Sequence, residues 1–442
     1  MKSTFFLSLF ILLNSFCFAQ TAVVGEQKII NNYTFPDEWR GRIILSLSAS
    51  NGDLWFASTQ GVYRYDGKLF YNYTSMGGLN TTTVNCIMED KNKNIWFGTK
   101  GGACKYDGKK FTTVLLPNAD GSTFNSIFSF LALQGNNSSK AIVQPTSVMN
   151  IMEDASGVFW FGADLNGIYR YDGKALTNFL GDVCKPVADN IQNGIHNIFQ
   201  DKKGNLWFSK GGCGACHFLF RLNAQNTTHP CINNTCKHDM KNAQQLTIHQ
   251  QEIDKLFIRT KTTNDHGTVD LMPFLSDTKG NVWFGSYENG VYQFDGKHLV
   301  NFSTKDGLNT SNITTILEDK KGNIWFGTGE KNSDGWKGNG VFCYDGNTLK
   351  HFTIANGLPE NDIISISEAK DGKIWFCSQI AGISCFDGKS INSFNEKNIM
   401  HNKYVSSFVK DRNDNFWFST EAMGLTRFDG KSFVSFTEKE KK

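Results

Sequence analysis

The residues best equipped for chemistry crowd into one stretch. Cys213-Gly214-Ala215-Cys216-His217 has the Cys-x-x-Cys-His spacing that attaches a c-type haem. His229, Cys231, Cys236 and His238 follow closely, so zinc is a formal alternative. The pattern occurs once, and no distal Met or His can be assigned to it. Thiols this dense in an exported chain are expected first as disulfides, here among Cys213, Cys216, Cys231 and Cys236. That reading is preferred and needs no cofactor or metal; haem on Cys213, Cys216 and His217 stays as the minor alternative.

Two tryptophans stand apart from the repeating pattern set out below. Trp39 lies in Pro36-Asp37-Glu38-Trp39-Arg40, and Trp336 lies in the polar stretch Gly329 to Asn339, beside Glu330, Lys331, Asn332 and Asp334. An indole in a polar loop can stack on a sugar ring or anchor a protein partner. It can equally cover a local apolar patch. These six residues are the candidate ligand contacts. No Gly-x-Ser-x-Gly, His-Glu-x-x-His or phosphate-loop motif is present. No catalytic residue is assigned.

These side chains must be positioned by a repeat. A Trp-Phe pair recurs eight times, at Trp55, Trp96, Trp160, Trp207, Trp283, Trp325, Trp375 and Trp417, with the closest copies about 41 to 42 residues apart. Each copy reads as an alternating strand, a turn of the Lys-Gly-Asn kind, the Trp-Phe strand, a variable loop, a third strand, an Asp-Gly turn and a fourth strand. Asp-Gly suits a two-residue hairpin turn whose central positions take positive φ, and seven of the eight copies have it. Neighbouring strand residues face opposite sides of a sheet, so adjacent Trp and Phe require both faces to be buried. Blades stacked around an axis supply that environment. The 37 Phe, 12 Tyr and 10 Trp against 7 Pro agree with an all-β chain. The expectation is a β-propeller of four-stranded antiparallel blades, eight by the count of Trp-Phe copies, with seven plus an accessory unit as the alternative. Residues Gly25 to Thr34 resemble the fourth strand Gly67 to Thr74 and are expected to overlap the last blade and close the ring.

The Glu-Asp dipeptide, Lys-Gly-Asn-Ile-Trp-Phe-Gly-Thr at 321–328, Gly-Val-Phe-Cys-Tyr-Asp-Gly at 340–346 and Asn356-Gly357-Leu358 resemble the two-component regulator propeller repeat. The resemblance covers nearly all of residues 28–436. In that family such repeats often form the extracytoplasmic sensor of hybrid histidine kinases, many linked to glycan sensing. Kinase and receiver domains are not read in this sequence, so kinase activity does not carry over. What the resemblance implies is the propeller fold and sensing of a ligand or partner. A propeller enzyme of the lyase or glycosidase type is the alternative, with His196, His266, His351 and His401 the residues to inspect.

Residues 1–19 carry Lys2, the apolar run Phe5 to Leu13 and small residues near Ala19, and read as a signal peptide. The run is too short to span a bilayer, which takes about 20 residues. Residues 20–442 are expected to form a single propeller domain with insertions near 113–147 and 224–254. A net charge of +3 is too small to point to nucleic acid. The expected protein is exported to the periplasm, the cell surface or the medium, with an extracytoplasmic glycan or protein ligand, a separate membrane signalling protein as a further partner, and no membrane insertion.

Overall fold

The computed structural model describes residues 20–21, 28–30, 43–58, 61–74, 78–116, 146–164, 167–178, 195–210, 218–222, 271–286, 290–302, 308, 312–329, 331–332, 335–336, 338–379, 381–394, 405–420 and 424–436. The chain forms eight antiparallel sheets in sequence order, one for each Trp-Phe copy. Their inner strands are Ile43–Ser48, Val84–Glu89, Val148–Glu153, Ile195–Gln200, Leu271–Ser276, Ile313–Glu318, Ile363–Glu368 and Val405–Lys410. Each Trp-Phe pair lies on the strand next outward, as its sequence position requires. Seven sheets show all four repeat strands; in blade 4 the outermost position falls outside the described residues. The protein is an eight-bladed β-propeller.

Why Trp and Phe recur side by side is explained by what each touches. All sixteen side chains are buried, none more than 7% exposed. Trp55 faces forward onto Phe97 of the next blade, with ring centroids 5.6 Å apart. The same step joins Trp96 to Phe161, Trp207 to Phe284, Trp283 to Phe326 and Trp325 to Phe376, at 5.3 to 5.9 Å. Alternation along one strand therefore serves two interfaces, Trp filling the one ahead and Phe the one behind. Each such pair adds about 0.5–1.5 kcal/mol beyond its buried area.

The ring closes by repeating this contact. Trp417 of blade 8 meets Phe56 of blade 1 at 6.2 Å, within a shared cluster of Leu54, Tyr63, Tyr65, Phe70, Leu425 and Phe436. At the axis Ser46 and Ser407 hydrogen-bond across the seam. The expected strand overlap is not there. Lys28–Ile30 instead adds to the outer strand of blade 1, with Ile29 opposite Tyr71. Gln20–Thr21 does the same on blade 2, with Gln20 opposite Thr113. The physical reason lies in blade 8, whose own fourth strand, Phe433–Phe436, already occupies its outer edge and leaves no gap in the sheet.

The outer hairpin also differs from expectation. Tyr65 pairs with Phe70, so Gly67 and Lys68 form the centre of the turn and Asp66 precedes it. Only the glycine has positive φ, 98° at Gly67. Asp66 instead accepts the amides of Lys68 and Leu69, both at 2.8 Å, and all seven Asp-Gly copies do likewise. Aspartate is selected as a cap, not for a left-handed backbone.

Candidate functional site

Accounting for hydrogen bonds separates the two ends of the propeller. At the end bearing the turns between inner and Trp-Phe strands, most polar side chains are consumed by the structure, with the Trp55 indole and one Asp414 oxygen as exceptions. In blade 6, Asp319 accepts the amides of Lys321 and Asn323 on Oδ1 and the Asn323 amide group and the Trp325 indole on Oδ2, at 2.8 to 2.9 Å. The indole-to-Asp bond recurs for Trp96, Trp160, Trp207, Trp283 and Trp417. The residue before this position couples neighbouring blades: Glu89, Glu153, Gln200, Ser276, Glu318 and, ahead of Ala369, Glu368 each accept an amide from the preceding blade's turn. The repeated Glu-Asp dipeptide thus holds the turn end together.

At the opposite end, where the variable loops and blade-to-blade connections lie, the accounts do not balance. Asp362 immediately precedes the inner strand of blade 7 and is 1% exposed. Neither of its carboxylate oxygens has a hydrogen-bond donor, and Asn312 Oδ1, at the equivalent position of blade 6, is also buried without one. Burial, with the half-buried Glu360 adding like charge, pushes the Asp362 carboxyl up to about 7. An unsatisfied buried polar group costs roughly 1–3 kcal/mol, more when charged. An unpaired buried carboxyl at the loop end makes Asp362 the candidate site residue.

Local packing holds Asp362 in place. Its backbone carbonyl accepts the Gln379 amide at 2.9 Å, and the carbonyl of Asn361 accepts Gly340 N at 2.8 Å. The variable loop of blade 6 presses down at two glycines. A Cβ at Gly329 would come within 2.2 Å of Asp362 Oδ1, and one at Gly338 within 2.1 Å of Asn361 O. This loop carries Trp336. Lys331–Asn332 and Gly335–Trp336 form a two-stranded hairpin in it, with Lys331 opposite Trp336 and Asn332 opposite Gly335. His351 ties the loop's return to the blade, donating from Nε2 to the Asn339 carbonyl at 2.6 Å while stacking on Phe342.

Of the other sequence candidates, Trp39, Glu330, Asp334, Cys213, Cys216, His217, Cys231, Cys236, His266 and His401 lie outside the described residues, as does the side chain of His196. Asp362 is absent from the sequence candidates, because one Asp in a polar loop carries no signal until its burial is known. Cys86, Cys104, Cys343, Cys377 and Cys385 are free thiols on strands. Burial pushes Cys104 up to about 12 and Cys385 to about 11, far from the thiolate form. Among the described residues no three His, Cys, Asp or Glu side chains are placed to share a metal, and no helix is long and apolar enough to cross a membrane.

Residues 78–101, 307–330 and 357–379 match the family model described as the two component regulator propeller. Three segments of the chain thus resemble this repeat. Each matched segment contains one Trp-Phe strand and the inner strand before it, and the third contains Asp362. No curated protein sequence matches this chain. Solved structures similar to it include the extracellular domain of a putative hybrid two component system from B. thetaiotaomicron, 17% identical with a TM-score of 0.47, over 88% of this chain and 51% of that one. The chain thus spans about half the length of that neighbour. Virginiamycin B lyase from Staphylococcus aureus is 13% identical with a TM-score of 0.42, over 78% and 93% of the two chains. The Dos1 propeller is 10% identical with a TM-score of 0.47, over 93% and 98%. Likenesses this distant carry no argument about function, and the propeller is read from the strand pairing itself.

Proposed function

We propose that this chain is an exported, non-catalytic recognition propeller that binds an extracytoplasmic ligand, a glycan or a protein, at the loop end of blades 6 and 7. The observation that carries this reading is the unpaired, buried Asp362 beneath the loop that bears Trp336. A buried carboxyl with neither oxygen paired, placed at the loop end, concedes stability there, as binding sites do. Export is supported by the apolar run and small residues of 1–19.

Among the described histidines, His351 is committed to a backbone carbonyl and a phenyl ring. That arrangement suits a support for the loop. Glycan arrays and pull-downs from envelope extract, run with the wild type and Trp336→Ala, test the reading. The variant should lose about 1 kcal/mol or more of binding if Trp336 is an anchor. Equal binding by both proteins, or turnover of a bound glycan, would sink it.

A further inference from the structure

The buried side-chain oxygens of Asp362 and Asn312 lack hydrogen-bond donors. They are three atoms at one blade boundary, Asp362 Oδ1 and Oδ2 and Asn312 Oδ1. Both residues touch the same glycine: Asn312 O accepts Gly329 N at 3.1 Å, and Asp362 Oδ1 lies against Gly329. Among the described residues, Glu360 is the charged group acting on Asp362. Among the described residues packed here, Thr314, Gly338 and Gln379 bring no positive charge. A metal would need a fuller cage, and among the described residues no three His, Cys, Asp or Glu side chains are placed to share one. What fits is one positive charge with several N–H donors, which is the inventory of a primary ammonium.

We propose that Asp362 is the anchor of a subsite for a primary ammonium group on the ligand. The proposal rests on the recognition reading above and names the chemistry of what is recognised. A lysine side chain and an amino sugar both present this group. The ammonium replaces a proton, because the empty site holds Asp362 neutral below about pH 7. Binding therefore strengthens as pH rises through that region and levels off above it, by on the order of fiftyfold between pH 5 and 8. Since both oxygens are covered, entry must part Gly329 and Gly338 from residues 361–362, and association is slower than diffusion allows.

The test is calorimetric titration of the full chain with n-butylammonium and with glucosamine, beside their neutral N-acetylated counterparts. It is run at pH 5, 6.5 and 8, in buffers of different ionisation enthalpy. Binding of either amine but neither amide, proton release at pH 6.5, and loss of at least tenfold in Asp362→Asn would support the subsite; which amine binds identifies the source. Equal binding of the neutral probes, no binding of either amine, or an unaffected Asp362→Asn would overturn it. Asp362→Asn is checked for native folding by circular dichroism, and Glu360→Gln, a second variant, should weaken amine binding severalfold. If Trp336→Ala loses the captured ligand while Asp362→Asn keeps it, the ammonium subsite fails and the recognition reading stands.

Discussion

At the scale of single residues, Asp362 makes an unusual demand on the fold. The unfolded chain releases its proton near pH 4, whereas the folded chain keeps it up to about pH 7. Between those values the folded state binds the extra proton, so this group's stabilising contribution is complete below about pH 4. It is lost as pH rises, and nothing more is lost above about 7. Asp362→Asn cannot ionise and should be indifferent to this window. We expect it to match the wild type at pH 4 and to exceed it by a few kcal/mol at pH 8, measured by denaturant unfolding at both pH values. A constant difference across the range would show that the carboxyl ionises normally. The same position illustrates what a sequence withholds. The residues preceding the inner strands include Thr83, Ser147, Asn312 and Asp362, all ordinary loop residues. What distinguishes Asp362 is its missing partners, which are a property of the packed loop of blade 6.

At the scale of the blade, the repeat was readable because each of its residues answers a local need. Trp and Phe side by side announce two buried faces, and Asp-Gly announces the outer hairpin. The division of labour in Glu-Asp is less visible in the sequence: one acid serves the neighbouring blade and the other serves its own turn and indole. Two blades break the rule. Ala49 stands where the indole's Asp would be in blade 1, and Ala369 in blade 7. The Trp55 indole nitrogen is accordingly buried without a partner. Ala49→Asp should supply the missing acceptor and raise stability by about 1 kcal/mol, while Asp319→Ala should cost about 1–3 kcal/mol by orphaning the Trp325 indole and uncapping its turn. Thermal unfolding of the two variants gives both signs, and a destabilised Ala49→Asp would show that the Asp53–Arg64 ion pair at 2.6 Å already claims that space.

For the whole molecule, ring closure was the part of the architecture that the sequence misdirected. Gly25 to Thr34 truly resembles a fourth strand, and Lys28–Ile30 does pair as an outer strand. Strand sequence reports the fitness of a segment for an edge, and it is silent on which edge. Deleting residues 1–30 should therefore leave the eight blades folded, with the far-ultraviolet spectrum retained and a modest fall in Tm. Deleting residues 433–442 should be far more damaging, because Phe436 stacks on Trp417 at 5.1 Å and meets Phe70 at 5.8 Å across the seam. If the N-terminal deletion instead unfolds the chain, the seam depends on it after all.

The seam's construction also sets the order in which the chain can fold. A ring that closes by sharing a strand leaves one blade incomplete until the first and last residues meet. Here the N-terminal strands need only blades 1 and 2, which are complete by Val114. Most blades draw all their strands from about 30 consecutive residues, so the loops to be closed are short and contact order stays low. Each blade can therefore form as its own segment lengthens, without waiting for the chain's end. The one long-range event is the meeting of finished surfaces, Trp417 against Phe56 and Ser407 against Ser46, and it joins side chains without any backbone having to be threaded into place.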